Sequence, residues 1–228
     1  MRYIINGALG LMGREMIRVA GEENVCAKVD KNACSDGYFS KIEDYLGEGD
    51  VIVDFSSHLA TYEVCEYAVR RKMPLVIAST SHTCEEMQEI YRSCATVPIF
   101  LSYNFSGGVF AINEFIKILS STLEIKKAEI FEKHHKDKKD APSGTAITFK
   151  DTLTSFGYPD GIEILSVREG DGYAEHTVRL ETDDEIITVK HEAKNRTLFA
   201  KGAVLAAEFI ITQKNGLYGM KDLINKRF

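Results

Sequence analysis

The sequence predicts two domains: a doubly wound, parallel-sheet α/β domain, and an α+β domain with a mixed or antiparallel sheet. Three observations predict it. Up to about residue 101, short and nearly all-apolar strand candidates alternate with helices, the pattern of a parallel sheet covered on both faces. A glycine loop, Gly7-Ala-Leu-Gly10-Leu-Met-Gly13, stands directly between the first strand and the first helix. After about residue 105 the order changes to helix, strand, helix and then three strands in succession.

Residues 2–6 read as a short buried strand, followed by the glycine loop and an amphipathic helix to about Gly21. A second strand over 24–29 ends at Asp30. The signals over 31–50 are weak, with a short helix closing at Tyr45-Leu46 and Gly47 as its stop. Asp50-Val-Ile-Val-Asp54-Phe is a third strand, and 58–72 a helix with apolar or aromatic residues at Leu59, Tyr62, Val64, Ala68 and Val69. Strands at 74–78 and 97–101 flank a helix at 83–93. A helix over 108–121, a strand over 126–133 and a helix from Ser143 to Phe156-Gly157 follow. Strands at 162–168, 173–181 and 184–192 read as antiparallel, with a turn at Asp183-Asp184. A final apolar helix over 200–213 is free to return to the first domain. The division expected is 1–106 with 196–228, and 107–195.

With 44% hydrophobic and 27% charged residues in a chain of 228, the core is ample. A net charge of −6 argues against nucleic acid or an anionic membrane as partner. No apolar run approaches the roughly 20 residues of a membrane span. Asn6 and Arg14 interrupt any signal-peptide core. Cys26, Cys34, Cys65, Cys84 and Cys94 form no C-x-x-C pair, so reduced thiols in or near the core of a cytoplasmic protein are expected.

Glycines between a strand and a helix permit a tight turn and bring a pyrophosphate close to the helix N-terminus. Asp30, at the end of the second strand, stands where an acid grips the adenosine ribose hydroxyls. It disfavours a 2′-phosphate, so NADH is the favoured cofactor. Lys31 beside it can tolerate that phosphate, so NADPH use is possible as well.

The run Glu132-Lys-His134-His135-Lys-Asp-Lys138-Lys-Asp-Ala-Pro-Ser143-Gly144-Thr145-Ala146 joins cations and proton-transfer groups to a helix start. His134 and Lys138 can face one cleft. A lysine near another cation becomes a usable acid. The first-turn N–H groups of Ser143, Gly144 and Thr145 suit a carboxylate. No cysteine or clear carboxylate spacing completes a metal site around the two histidines, so no metal is expected.

This run resembles the signature of the bacterial 4-hydroxy-tetrahydrodipicolinate reductases (dihydrodipicolinate reductases) of lysine and diaminopimelate synthesis. The resemblance extends to the Gly7 loop, Val53-Asp54-Phe55-Ser56, Asn104-Phe105-Ser106, Arg168-Glu-Gly-Asp, Glu175-His-Thr and Phe199-Ala-Lys-Gly-Ala-Val204. It implies His134 as catalytic acid/base and Lys138 as proton donor, with His135, Gly144 and Thr145 holding substrate. It implies a cofactor on Gly7, Ala8, Leu9, Gly10, Leu11, Met12 and Asp30, on Ala78, Ser79 and Thr80, and on Ser102, Tyr103, Asn104 and Phe105. Where the family usually has Gly-Thr-Thr-Gly, this chain has Ala78-Ser79-Thr80-Ser81. Backbone contacts to nicotinamide can survive this change if these residues keep φ below zero, with a loop that differs somewhat from the family's.

The substrate so implied is a cyclic imine with two carboxylates and a ring hydroxyl, and domain closure over both ligands is expected. The assembly implied is a homotetramer built through the second domain. Two other functions stay open on the residues alone: another nicotinamide-dependent dehydrogenase acting on an amino acid or diamine, and a non-catalytic NAD-binding sensor.

Overall fold

The computed structural model describes residues 1–33, 35–136, 138–158, 161–170 and 173–226. The chain forms β1 (Tyr3–Asn6), α1 (Leu11–Ala20), β2 (Val25–Val29), β3 (Tyr38–Phe39), β4 (Val51–Asp54), α2 (Thr61–Arg71), β5 (Leu75–Ile77), α3 (Cys84–Ser93) and β6 (Pro98–Leu101). It continues through α4 (Gly107–Thr122), β7 (Lys127–His134), α5 (Gly144–Ser155), β8 (Glu163–Arg168), β9 (Glu175–Glu181) and β10 (Ile186–Glu192). It ends with α6 (Thr197–Ile210), β11 (Gly216–Tyr218) and α7 (Met220–Asn225). Among the described residues no helix is long and apolar enough to cross a membrane.

Two compact units result, Met1–Phe105 with Thr197–Phe228, and Ser106–Arg196. The first holds a seven-stranded sheet in the order β11-β6-β5-β4-β1-β2-β3, with every strand pair parallel. Its central strands β1 and β4 are buried at all four positions, which is why each opens on three successive apolar or aromatic residues rather than alternating ones; the fourth residues, Asn6 and Asp54, are polar and bonded to each other. Ile4, Ile52, Leu75 and Ile99 pack with Val64, Tyr67, Ala68 and Ile90 on one core. Thr83 caps α3 in a reciprocal capping box with Glu86.

The second unit holds a four-stranded sheet in the order β10-β9-β7-β8. β9 is antiparallel to both neighbours, but β8 runs parallel to β7. The sheet is therefore mixed: α5 carries the chain back from the end of β7, and such a helical crossover returns a strand in the same direction. Along β7 the buried residues are Ala128, Ile130, Glu132 and His134, one face of the strand at period two. That face is apolar at one end, where Ile130, Val178 and Leu180 pack with Phe149 and Leu153 of α5 and Ile116 and Leu119 of α4. At its other end it carries Glu132, His134 and His176.

Some elements differ from expectation. The short helix expected to close at Tyr45-Leu46 is a 3-10 turn over Ile42–Asp44, and Tyr45 lies in extended backbone after it. β3, β11 and α7 were not expected, because segments of two to six residues carry no measurable periodicity. The last long helix is Thr197–Ile210 rather than 200–213. Cys26, Cys65, Cys84 and Cys94 are free thiols, with Cys65 buried but Cys84 exposed; Cys34 lies outside the described residues.

Candidate active site

The glycine loop satisfies three different steric demands. Gly7 has φ +78, and a Cβ there would stand 2.6 Å from the Phe55 carbonyl carbon. A Cβ on Gly13 would stand 2.1 Å from the Gly7 oxygen, so this glycine lets α1 pack against the turn. Gly10 is less confined, with its nearest atom at 3.1 Å. Four of the loop's N–H groups are already engaged. Gly7 and Ala8 donate to Val29 O at 2.9 Å, and Gly10 donates to Gly7 O at 3.0 Å. Leu9 donates to Asp30 Oδ2 at 3.0 Å. The donors left for an anion are in the first turn of α1, at Leu11 and Met12, whose N–H groups have no intrahelical partner.

Asp30 is buried and also accepts the Asn32 N–H at 3.0 Å. Each of its oxygens keeps a second lone pair for a hydroxyl donor. Gly7, Gly10, Asp30 and Lys31 line one cavity of about 340 Å³. Lys41 and Leu59 line it too, and sequence reasoning missed both; nothing in a weakly patterned loop or an exposed helix-start leucine marked them.

Ala78, Ser79 and Thr80 follow β5, and Ser102 to Phe105 follow β6, at the same C-terminal edge of the sheet as the glycine loop but outside that cavity. Asp54, at the end of β4 between them, is 1% exposed. It accepts Asn6 Nδ2 at 2.8 Å and Ser79 Oγ at 3.0 Å, and the Ser56 N–H as well. Burial pushes its carboxyl up from the ordinary value, against these hydrogen bonds. Ser79 Oγ also meets His82 Nε2 at 3.2 Å, and the His82 ring stacks on Tyr103. Ser81 has φ +68, so the backbone does not stay below zero across the turn: a serine holds a left-handed position that glycine adopts freely. Ser102 Oγ donates to Asn104 O at 2.7 Å, and buried Phe105 stacks on Phe100.

In the second unit Glu132 is the hub. It is fully buried and accepts Arg168 through both oxygens, at 2.9 and 2.7 Å. It also accepts the Ser143 N–H at 3.3 Å and is bonded to His134 Nδ1. Burial alone would raise this carboxyl, but the hydrogen bonds, led by Arg168, hold it down at about 2, so it is ionised. An ionised carboxylate only accepts, so the proton of a neutral His134 ring is on Nδ1 and Nε2 is the bare nitrogen. Burial pushes His134 below its ordinary value against the pull of Glu132. His176 packs edge-on to His134 at 5.1 Å, and burial, reinforced by His134, pushes it down to about 3. Its Nε2 meets Ser143 Oγ at 3.0 Å.

Lys138 pairs with both oxygens of Asp140 at 2.8 Å, a carboxylate partner that sequence reasoning did not assign to it. His135 follows the strand end and is not part of the Glu132–His134–His176 cluster. Ser143 is 2% exposed, and its hydroxyl accepts the Ala146 N–H as the cap of α5. With its N–H on Glu132 and its hydroxyl on His176 it builds the frame of the helix start rather than facing outward. Gly144 is open, since a Cβ there would meet nothing within 4 Å, and Thr145 is half-buried beside it.

Donor atoms of Glu132, His134 and His176 lie within 4.8 Å of one another, a spacing that a metal ion can use. Arg168 occupies both oxygens of Glu132 and sets a positive charge beside them, which favours the hydrogen-bonded arrangement over a cation. Sequence reasoning gave no role to Glu132, Arg168 or His176. The two-residue spacing from Glu132 to His134 on a strand was the available signal, because it puts both on one face.

A doubly wound parallel sheet with a glycine turn at its switch point, in one chain with a second unit that buries Glu132, His134 and His176 together, is the architecture expected of a pyridine-nucleotide-dependent oxidoreductase, and the named relatives place the chain in that class. Family models agree along the chain: "Dihydrodipicolinate reductase, N-terminus" matches residues 1–105 and "Dihydrodipicolinate reductase, C-terminus" residues 108–224. The chain belongs to the dihydrodipicolinate reductase family. It is 38% identical to the 4-hydroxy-tetrahydrodipicolinate reductase of Caldanaerobacter subterraneus subsp. tengcongensis over 99% of each chain. It is 34% identical to the enzyme of that name from Bdellovibrio bacteriovorus, over 96% of this chain and 93% of the relative. The fold matches the dipicolinate-bound dihydrodipicolinate reductase from Paenisporosarcina sp. TG-14 with a TM-score of 0.79, at 22% identity over 97% of this chain and 98% of that one.

Proposed function

We infer that this chain reduces 4-hydroxy-2,3,4,5-tetrahydrodipicolinate to tetrahydrodipicolinate with a nicotinamide dinucleotide, in lysine and diaminopimelate biosynthesis. One observation carries the reading from fold to chemistry. Glu132 bonds at once to His134 and to the N–H of Ser143, so a proton-transfer ring and an anion-suited helix start are tied to one carboxylate.

The residues present fit the dinucleotide: Gly7 and Gly13 clear the turn, and the first turn of α1 offers N–H donors to a pyrophosphate. When bound, it supplies the hydride. The substrate would first lose water to give a conjugated imine, its β-carbon would receive that hydride, and the resulting enamine would take a proton from the chain's own groups. His134, through Nε2, is the acid/base, and Lys138 Nζ is the proton donor. Gly144 and Thr145 clamp one carboxylate, with His135 and Lys138 adding positive charge. Support for this clamp is the empty space over Gly144, which lets an anion approach the backbone.

Asp30 accepts the ribose hydroxyls, which favours NADH, while Lys31 and Lys41 in the same cavity accommodate NADPH. Ala78 to Thr80 and Ser102 to Phe105, after β5 and β6, would hold the nicotinamide end. The assembly is a homotetramer made through the outer face of the second sheet, where Leu165 and Ile186 are 62% and 57% exposed. An assay coupling synthase-generated substrate to NADH oxidation tests the reaction. Turnover at the family's rate supports it, and NADH binding without turnover would leave a sensor.

A further inference from the structure

Arg168, at the end of β8, joins the two proton-transfer groups. Its Nη1 and Nη2 donate to Glu132, and Nη2 donates also to the backbone carbonyl of Asp140 at 2.6 Å. Glu132 receives Nδ1 of His134, and the Asp140 carboxylate receives Nζ of Lys138. One guanidinium is therefore a single residue away from His134 on one branch and from Lys138 on the other. We propose that Arg168 is a positioning residue: through Glu132 it fixes which nitrogen of His134 carries the proton, and through the Asp140 carbonyl it holds the loop that presents Lys138. The inference rests on the reading that His134 and Lys138 move the protons.

Arginine suits this place because its planar fork meets two carboxylate oxygens and a carbonyl together, whereas a lysine ammonium is a point charge on a flexible stem. Glu132 also needs it: an ion with no exposure requires a fixed counter-charge. The groups facing His134 are Glu132 from its own strand, Arg168 from β8, His176 from β9 and Lys138 from the loop that follows β7.

The test compares Arg168→Lys, Glu132→Gln and the double variant Glu132→Gln/Arg168→Met, which leaves no buried ion without a partner. The first readout is the ¹⁵N spectrum of the His134 ring. Wild type carries the proton on Nδ1, and the variants populate Nε2–H. The second is turnover: kcat falls at least about tenfold, as for a misheld acid–base group, while NADH affinity stays within about twofold. Variants that melt earlier yet keep the wild-type ring tautomer and kcat would overturn the inference while leaving the functional reading intact. A fully active His134→Gln enzyme would instead overturn the functional reading itself.

Discussion

Gly202 of α6 lies against the carbonyl of Phe105 so closely that a Cβ on it would stand 1.9 Å from that oxygen. The loop after β6 thus rests on a helix that returns from the far end of the chain. Gly202→Ala is expected to cost about 1–3 kcal/mol through overpacking and to weaken NADH binding by displacing residues 102–105. Urea denaturation and a fluorescence titration with NADH measure the two effects. Wild-type values in both would mean that the loop yields without consequence.

Gly144 is the opposite case. Open space surrounds its missing Cβ, so Gly144→Ala leaves stability unchanged or slightly raised. The added methyl instead blocks the approach of a carboxylate. Inhibition by pyridine-2,6-dicarboxylate should weaken while NADH affinity holds. An unchanged inhibition constant would move the anion site elsewhere.

His134→Gln and Lys138→Ala are each expected to lower kcat about 10²-fold or more, the scale of general acid–base catalysis. Steady-state rates with both substrates saturating measure this. Near-normal turnover in both variants would sink the assignment.

Asp30→Ala should shift preference toward NADPH, because the acid that disfavours a 2′-phosphate is gone. Lys41→Ala should act the other way, lowering kcat/KM for NADPH and sparing NADH. Ratios of kcat/KM for the two cofactors decide both. A constant ratio across the variants would remove these side chains from the choice.

The second unit should lose stability in acid through two groups of the same sign. His176, ordinarily near 6.5, is held at about 3, so the unfolded chain binds a proton that the folded one refuses. Its contribution is whole above the unfolded value and falls away as pH drops toward the folded one. Glu132, ordinarily near 4.5, is held at about 2, so its share disappears lower, as pH falls through that range. Urea midpoints at steps from neutral pH down to mildly acid pH should fall steadily. In His176→Gln the upper part of that slope should flatten. A midpoint independent of pH would show that these groups do not govern stability.

The parallel sheet was legible because its strands are largely apolar, without alternation, and are punctuated by Gly7 and by helices long enough to show a period. β11 was not, since three residues at a sheet edge, Gly216–Tyr218, take their place from pairing with β6 and not from any pattern of their own. The direction of β8 depends on the crossover through α5, a property of connection and not of composition. In the site, the His134 run stood out as a cluster along the chain. Its partners Arg168 and His176 reach it only through strand register, Arg168 opposite His134 on β8 and His176 opposite Glu132 on β9. A linear reading has no access to that register.

Phe149, a fully buried residue of α5, touches the His176 ring edge-on with ring centres 6.2 Å apart. A side chain of this unit's apolar interior is thus also a neighbour of the Glu132–His134–His176 cluster. Drift toward heat tolerance by repacking that interior would retune the acid–base cluster at the same time. Evolution has less freedom here than in an ordinary core, and a designer seeking a hardier enzyme does better to begin on the dinucleotide side.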